Sequence, residues 1–239
     1  MPQGLYQRGI EASLDAMQEL AGINTVMTFS NNMVARQYRP EFGHATDPET
    51  GQPITDVYVH TDEAHYASTS LRQAKNPTHL YADRDLLNEL AEAARPRNMQ
   101  VYARILEPYT ITGAIPGLEA CAEVDIHGAT ANTACFNHPD YVNFWEAVVT
   151  DLVTGHSELA GFKFGQERGG PFMKAIGGGD ATCFCQHCTR LAESQNINVD
   201  EARAGFTALK EFGEAHRQPL DAPVDERRPN DGYLVSILR

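Results

Sequence analysis

The stretch "MQVYARILEP", Met99–Pro108, lies between two segments of helical pattern and has the composition of a buried β-strand. A similar apolar composition recurs at Ile23–Ser30 and, in a shorter form, at Gly161–Phe164. Apolar residues at helical spacing predict helices before, between and after these strands. The predicted helices are Gln7–Leu20, Asp83–Asn98, His138–Gly155 and Asn198–His216.

Helices and strands alternate along the chain, which predicts an α/β fold with a parallel sheet. Each strand leads into a loop, and two of the loops, Met33–Tyr81 and Tyr109–Asn137, are very long. Such loops are typical of the (β/α)8 TIM-type barrel, where they form the active site. Because only three strands are evident, the 239 residues are predicted to be one domain that is an incomplete piece of a larger barrel. The alternative is a complete small α/β domain.

The charge and composition disfavour several classes of partner. A formal net charge of −13 leaves no basic surplus to neutralise phosphates, so a nucleic-acid partner is not expected. No apolar run approaches the roughly 20 residues of a membrane span. No signal-peptide pattern opens the chain, which makes a cytoplasmic location the default expectation. An exported form whose leader lies upstream stays open, and so does assembly into a homo-oligomer.

The segment "TCFCQHC", Thr182–Cys188, holds most of the cysteines and predicts a metal site. Three of the five cysteines in the chain lie within it, namely Cys183, Cys185 and Cys188. Structural zinc sites use four tetrahedral ligands, often thiolates. Cys135, at the end of the loop before the third predicted helix, is the favoured fourth ligand, with His187 and Cys121 as alternatives. Four protein ligands leave no open position, so the ion would be a structural Zn²⁺. Buried reduced thiols and a redox pair are the rival interpretations.

A second motif, "KFGQERGGPF" (Lys163–Phe172), places a carboxylate where a predicted strand ends. Glycoside hydrolysis requires two carboxyl groups, one of which protonates the leaving oxygen. Glu167 is the candidate for that acid, and its neighbours Gln166 and Arg168 are candidates for hydrogen bonds to a sugar. The alternative is a surface ion pair between Glu167 and Arg168.

Polar residues at the other strand ends complete the candidate site. Asn31 follows the first strand and Arg104 lies in the second, and both are predicted to contact a substrate. Glu107 is predicted to cap the following turn rather than to act in catalysis. His60 and His65 have acidic residues between them but lack a convincing third ligand, which favours a substrate loop or a solvated surface over a metal site.

A strand that ends in Glu and is followed by C-x-C-x-x-C and a helix resembles the pattern of (β/α)8 glycoside hydrolases of the family 42 β-galactosidase type. An uncharacterised glycosidase-like barrel relative fits as well. "CFNHPDY" (Cys135–Tyr141) is similar to the segment in which that family has its fourth zinc thiolate. "GFKFGQER" (161–168) stands where the family has an Asn-Glu pair, with Gln166 in place of the Asn. The opening "ASLDAMQELAGINTVMTF" (12–29) resembles the family's first helix and second strand.

The resemblance implies a carbohydrate substrate and a retaining mechanism in which Glu167 is the general acid/base. It also implies that the three strands are strands two to four of the barrel. The nucleophile would then lie outside this chain, and the isolated chain would be inactive. A non-catalytic carbohydrate-binding or scaffold barrel that keeps the zinc is the alternative.

Overall fold

The described part of the chain forms seven α-helices and seven short strands. The computed structural model describes residues 2–32, 56–73, 83–107, 111, 115–165 and 170–216. The helices are α1 (Pro2–Arg8), α2 (Ile10–Ala21), α3 (Leu86–Ala94), α4 (Pro139–Gly155), α5 (Gly170–Ile176), α6 (Gln186–Ser194) and α7 (Val199–His216). The strands are β1 (Thr25–Phe29), β2 (Asn31–Asn32), β3 (Asp56–Val57), β4 (Gln100–Leu106), β5 (Ala122–Val124), β6 (Thr130–Ala134) and β7 (Gly161–Gly165).

Three parallel strands form the main sheet in the order β1-β4-β7. Thr25 is paired with Gln100 at one end, and Leu106 with Gly165 at the other. Helix α3 lies between β1 and β4 in the chain, and α4 lies between β4 and β7, as parallel pairing requires. The parallel sheet and the positions of its three strands confirm the prediction from the sequence.

The prediction of a (β/α)8 TIM-type barrel is wrong. The described residues form a small mixed α/β fold, in which β1 and β7 are the two edges of an open sheet and do not pair with each other. A barrel requires the edge strands to join. The βα pattern therefore predicted the strands and their direction correctly, but their assembly incorrectly.

Helices cover one face of the sheet. Val101, Ala103 and Ile105 of β4 are almost fully buried on that face. Helices α2 and α3 pack around Val101, while Phe144 and other aromatic residues of α4 pack near Ala103 and Ile105. Burial of these side chains is the main source of stability in this layer, at about 1.5–3 kcal/mol for each large apolar side chain.

The opposite face of the sheet is more exposed in the described part of the chain. Met27 lies on this face and is 51% exposed. Two glycines of β7 make room there for large side chains of β4. A Cβ atom on Gly161 would lie 3.0 Å from the Tyr102 ring, and one on Gly165 would lie 3.2 Å from Nε of Arg104.

Several predicted helix limits shift by a few residues. Gly9, at φ 84°, interrupts the predicted helix Gln7–Leu20 and separates α1 from α2. Gly22 ends α2 in the left-handed conformation, which is common for glycine at the end of a helix. The second predicted helix begins at Asp83, but the N-cap of α3 is Asp85, whose carboxylate accepts a hydrogen bond from the Asn88 N–H.

Two antiparallel ribbons were not predicted. Strand β2 pairs with β3, and β5 pairs with β6. The strands of the second ribbon have three and five residues, and Gly128 (φ 85°) lies in the turn between them. Short, largely polar strands give little hydrophobic periodicity, which explains why this segment resembled a loop.

Within the described ranges, no helix is both long enough and apolar enough to cross a bilayer.

Candidate metal centre

Four cysteine thiols converge on one point. Their ligand atoms all lie within 4.8 Å of one another, and the residues are Cys135, Cys183, Cys185 and Cys188. The Sγ atom of Cys135 is 3.4 Å from that of Cys188 and 3.6 Å from that of Cys185. A tetrahedral ion with bonds of about 2.3 Å to sulfur separates its ligands by about 3.8 Å. A disulfide would need about 2.05 Å, so the four thiols are spaced for a metal.

The β5–β6 ribbon positions the centre. Cys135 directly follows β6, and its backbone N–H donates to the carbonyl of Cys121 at 2.7 Å. The segment before α6 lies along the other side of β5. There the Phe184 N–H donates to the Val124 carbonyl at 2.7 Å, and the Ile126 N–H donates to the Ala181 carbonyl at 3.1 Å. Backbone hydrogen bonds therefore bring the C-x-C-x-x-C segment to Cys135.

Helix α6 begins at the centre. Cys185 is its N-cap, and Cys188 lies in its first turn. The N-terminus of a helix carries partial positive charge, which stabilises nearby thiolates. This geometry favours the deprotonated cysteines that a metal requires.

Backbone and side-chain N–H groups donate to the sulfur atoms. The Val124 N–H lies 3.4 Å and the Cys185 N–H 3.5 Å from Sγ of Cys183. Asn137 donates from its backbone to Sγ of Cys135 at 3.4 Å and from Nδ2 to Sγ of Cys188 at 3.3 Å. These groups offset the negative charge of four thiolates around a divalent ion.

The pKa values of two of the thiols shift in opposite directions. Hydrogen bonds from Cys135 and then Cys183 lower the pKa of Cys188 to about 4. Hydrogen bonds with Cys183 and then Cys188, together with burial, raise the pKa of Cys135. The opposite shifts mean that neighbouring thiols share a proton. A metal cation that binds the thiolates takes the place of that proton.

The two alternative ligands do not belong to the cluster. The His187 ring instead lies against the ring of His138, with 4.7 Å between centroids. Cys121 is fully buried, and burial raises the pKa of its thiol to about 11. Cys135 is therefore the fourth member, as its place before α4 indicated.

The candidate sugar-binding residues are described only in part. Asn31 is the first residue of β2, directly after β1. Arg104 lies in β4, with its guanidinium carbon 5.0 Å from the centre of the Phe29 ring. Gln166, Glu167 and Arg168, which include the candidate acid, lie outside the described residues.

Glu107 has an environment that the sequence did not indicate. It directly follows β4, is 1% exposed, and accepts a hydrogen bond from the Tyr141 hydroxyl at 2.9 Å. Its backbone N–H points to the carbonyl of Gly165 at 3.4 Å, at the end of β7. The tyrosine of "CFNHPDY" was the available signal, but the pairing requires the packing of α4 on the sheet.

The histidines of the loop after β3 are held by other partners. A ring nitrogen of His60 lies 3.2 Å from the Asp83 carbonyl, and one of His65 lies 3.2 Å from the Thr154 hydroxyl. Among the residues that the structure describes, the cysteine cluster is the one group of three or more potential ligands. The interpretation of these histidines as a surface or a substrate loop stays a prediction.

Comparisons with known proteins provide no relative. The chain was compared with models of protein families, with curated proteins and with solved structures, and none of the three comparisons gives a match.

Proposed function

We propose that the cysteine cluster binds one Zn²⁺ ion and that this ion is structural. The observation that carries the proposal is the convergence of four ligand sulfur atoms within 4.8 Å. A set of four thiolates favours zinc over hard ions such as Mg²⁺ and Ca²⁺, which prefer oxygen ligands. Because four protein ligands complete a tetrahedron, no position is left for a reacting water.

The surroundings of the cluster explain what the ion stabilises. In the described chain, α6 buries no side chain, and the only buried residue of α7 is Gly213. The apolar cluster beside them contains only three buried residues, Ile126, Ala175 and Ala181. Small apolar cores often need a metal or a disulfide for stability. Zinc would join α6 to the β5–β6 ribbon and to the start of α4.

Metal analysis of three matched serine variants tests this proposal. Cys135→Ser and Cys185→Ser each remove a ligand, and we expect both to lose the bound zinc. Cys121→Ser is the control, because Cys121 is a buried cysteine outside the cluster. It should retain one zinc per chain. Equal zinc content in all three variants would show that the cluster is not the binding site.

We further propose, as a second candidate function, that the protein takes part in glycoside hydrolysis. The supporting observation is the position of Arg104, whose side chain lies against Gly165 at the end of β7. Glu167 follows Gly165 by two residues in the sequence. Ligands of open α/β sheets bind outside the carboxyl ends of the strands. In this sheet, Gly165 lies at the carboxyl end of β7, next to the carboxyl end of β4.

In this proposal Glu167 is the general acid/base of a retaining reaction. It donates a proton to the leaving oxygen and then takes one from water, opposite a nucleophilic carboxylate about 5–5.5 Å away. Asn31, Arg104, Gln166 and Arg168 bind the sugar. A carbohydrate-binding protein without catalysis is the alternative, and it would bind sugars without turnover.

The dependence of the rate on the leaving group tests the role of Glu167. An aryl glycoside with an acidic phenol needs no protonation, whereas one with a basic leaving group does. We expect Glu167→Gln to keep kcat/KM for the first substrate, because kcat/KM reports formation of the glycosyl intermediate, and to lower kcat/KM for the second at least about 100-fold. The control is Glu158→Gln, an exposed glutamate paired with Arg95, which should change neither rate. No turnover by the wild type on any glycoside would contradict this candidate function.

A further inference from the structure

One residue next to the metal centre contacts two of its thiols at once. Asn137 lies between Cys135 and α4, and donates its backbone N–H to Sγ of Cys135 at 3.4 Å. Its side-chain Nδ2 donates to Sγ of Cys188 at 3.3 Å. These two thiols come from parts of the chain that are 53 residues apart. Asn137 therefore links the ribbon side of the cluster to the helix side.

The four thiols differ in exposure. Cys135 and Cys185 are buried, whereas Cys183 and Cys188 are partly exposed. Among the N–H donors described above, those to Sγ of Cys183 are both backbone groups, of Val124 and Cys185. The N–H donor described for Sγ of Cys188 is the side-chain amide of Asn137, which is exposed. A substitution can remove that donor without changing the backbone.

We propose that Asn137 is a positioning residue of the zinc centre, which holds the Cys188 thiolate in place and limits its reactivity. This inference rests on the proposed zinc site. A hydrogen bond to a thiolate withdraws electron density from sulfur and restrains the side chain. Both effects slow protonation or alkylation of the ligand and the loss of the metal. Cys188 is then the ligand at which the ion is first released when the amide is absent.

The isosteric change Asn137→Asp is the direct test. It keeps the shape and the backbone N–H, but replaces the donor near Cys188 with a carboxylate. Asn143→Asp is a matched control on the following helix, α4, because its Nδ2 donates to the Ser68 carbonyl at 2.9 Å, away from the cluster. Both variants gain the same charge and lose one side-chain donor.

Three measurements follow, two on the zinc-loaded proteins and one on the Co²⁺-substituted proteins. We expect zinc transfer to a chromogenic chelator to be about 10-fold faster in Asn137→Asp than in Asn143→Asp, at the low end of the effect of outer-shell residues on metal affinity. Peptide mapping after brief treatment with a maleimide should show Cys188 modified ahead of Cys183. In the Co²⁺-substituted protein, the sulfur-to-cobalt charge-transfer band should move to longer wavelength.

Asn137→Ala keeps the test valid if the aspartate variant does not fold, because it removes the donor without adding charge. Release rates equal to the control, with an unmoved Co²⁺ band in both Asn137 variants, would overturn the inference alone. Wild-type protein that binds neither Zn²⁺ nor Co²⁺ would overturn the zinc proposal and this inference together. Restoration of slow release by Asn137→Gln, which has the same amide on a longer side chain, would support a donor role.

Discussion

Two regions of the molecule are stabilised by different means. The sheet layer consists of β1, β4 and β7 with helices α2 to α4, and the cysteine region consists of the β5–β6 ribbon with α6 and α7. In the sheet layer, side chains such as Leu14, Leu87 and Phe144 are fully buried between helices and strands. In the cysteine region, the described residues of α6 include no buried side chain, and four thiols occupy the place of a core. Apolar burial should therefore determine the stability of the first region, and metal binding that of the second.

The largest expected effect is that of metal removal, which should unfold the cysteine region and leave the sheet layer folded. Chelation of zinc, or Cys185→Ser, should abolish amide protection in α6 and α7 while β4 and α4 keep theirs. The apparent free energy of structural zinc binding is about 10–16 kcal/mol near pH 7, which exceeds what this small apolar cluster can replace. Hydrogen exchange with mass spectrometry measures the protection of each segment. A uniform loss across the chain would show that the two regions are not distinct.

Cavity formation in the sheet layer should give the opposite pattern. Phe144 is fully buried, and Phe144→Ala is expected to lower the free energy of unfolding of the sheet layer by about 3–5 kcal/mol. The folded fraction should still bind zinc, because the thiols are not altered. Val149→Ala is the control on the same helix, at a position 38% exposed, and should change stability by less than about 1 kcal/mol. Urea unfolding with zinc analysis distinguishes the two variants.

A smaller, pH-dependent effect comes from a buried ion pair in the sheet layer. The Nε2 atom of His156 lies 3.1 Å from both carboxylate oxygens of Asp85, and Nδ1 lies 3.0 Å from the Leu152 carbonyl. Burial lowers the pKa of His156, but the hydrogen bond with Asp85, the negative charge of Asp85 and the hydrogen bond to the Leu152 carbonyl together outweigh it and raise the pKa above 6.5. Burial likewise raises the pKa of Asp85, and hydrogen bonds from His156 and two backbone N–H groups outweigh it and lower the pKa below 3.8.

The sign of the pH dependence follows from the raised pKa of His156. Its contribution is fully present below the unfolded value of 6.5 and is lost as the pH rises through the folded value. His156→Gln should therefore lower the free energy of unfolding by about 1–3 kcal/mol at pH 6 and by less at pH 9. Asp85→Asn should remove the same dependence above pH 6. Parallel stability curves for the wild type and His156→Gln from pH 6 to 9 would contradict this assignment.

Residues with a strong local signal were predicted from the sequence, and those that depend on assembly were not. The apolar stretch around Val101 indicated a buried strand, and the C-x-C-x-x-C spacing indicated a shared ligand. Whether three parallel strands close into a barrel depends on pairing beyond each βα unit, which the local pattern does not contain. That is why the barrel prediction failed while its strands were correct.

The remaining differences have the same origin. The pairing of Glu107 with Tyr141 joins residues 34 positions apart, and it arises from the packing of α4 on the sheet. Asp83 and Asp85 are equally good caps by composition. Asp85 is the cap in the structure, where its carboxylate also accepts from the His156 ring. Asn137 was overlooked because a donor to sulfur has no sequence signature apart from the ligands.

Zinc stoichiometry by native mass spectrometry, on the wild type and on Cys135→Ser and Cys121→Ser, tests the central claim most directly. We predict one zinc per wild-type chain and per Cys121→Ser chain, and none in Cys135→Ser. A wild-type protein without zinc, or a Cys135→Ser variant that retains it, would contradict the structural zinc site.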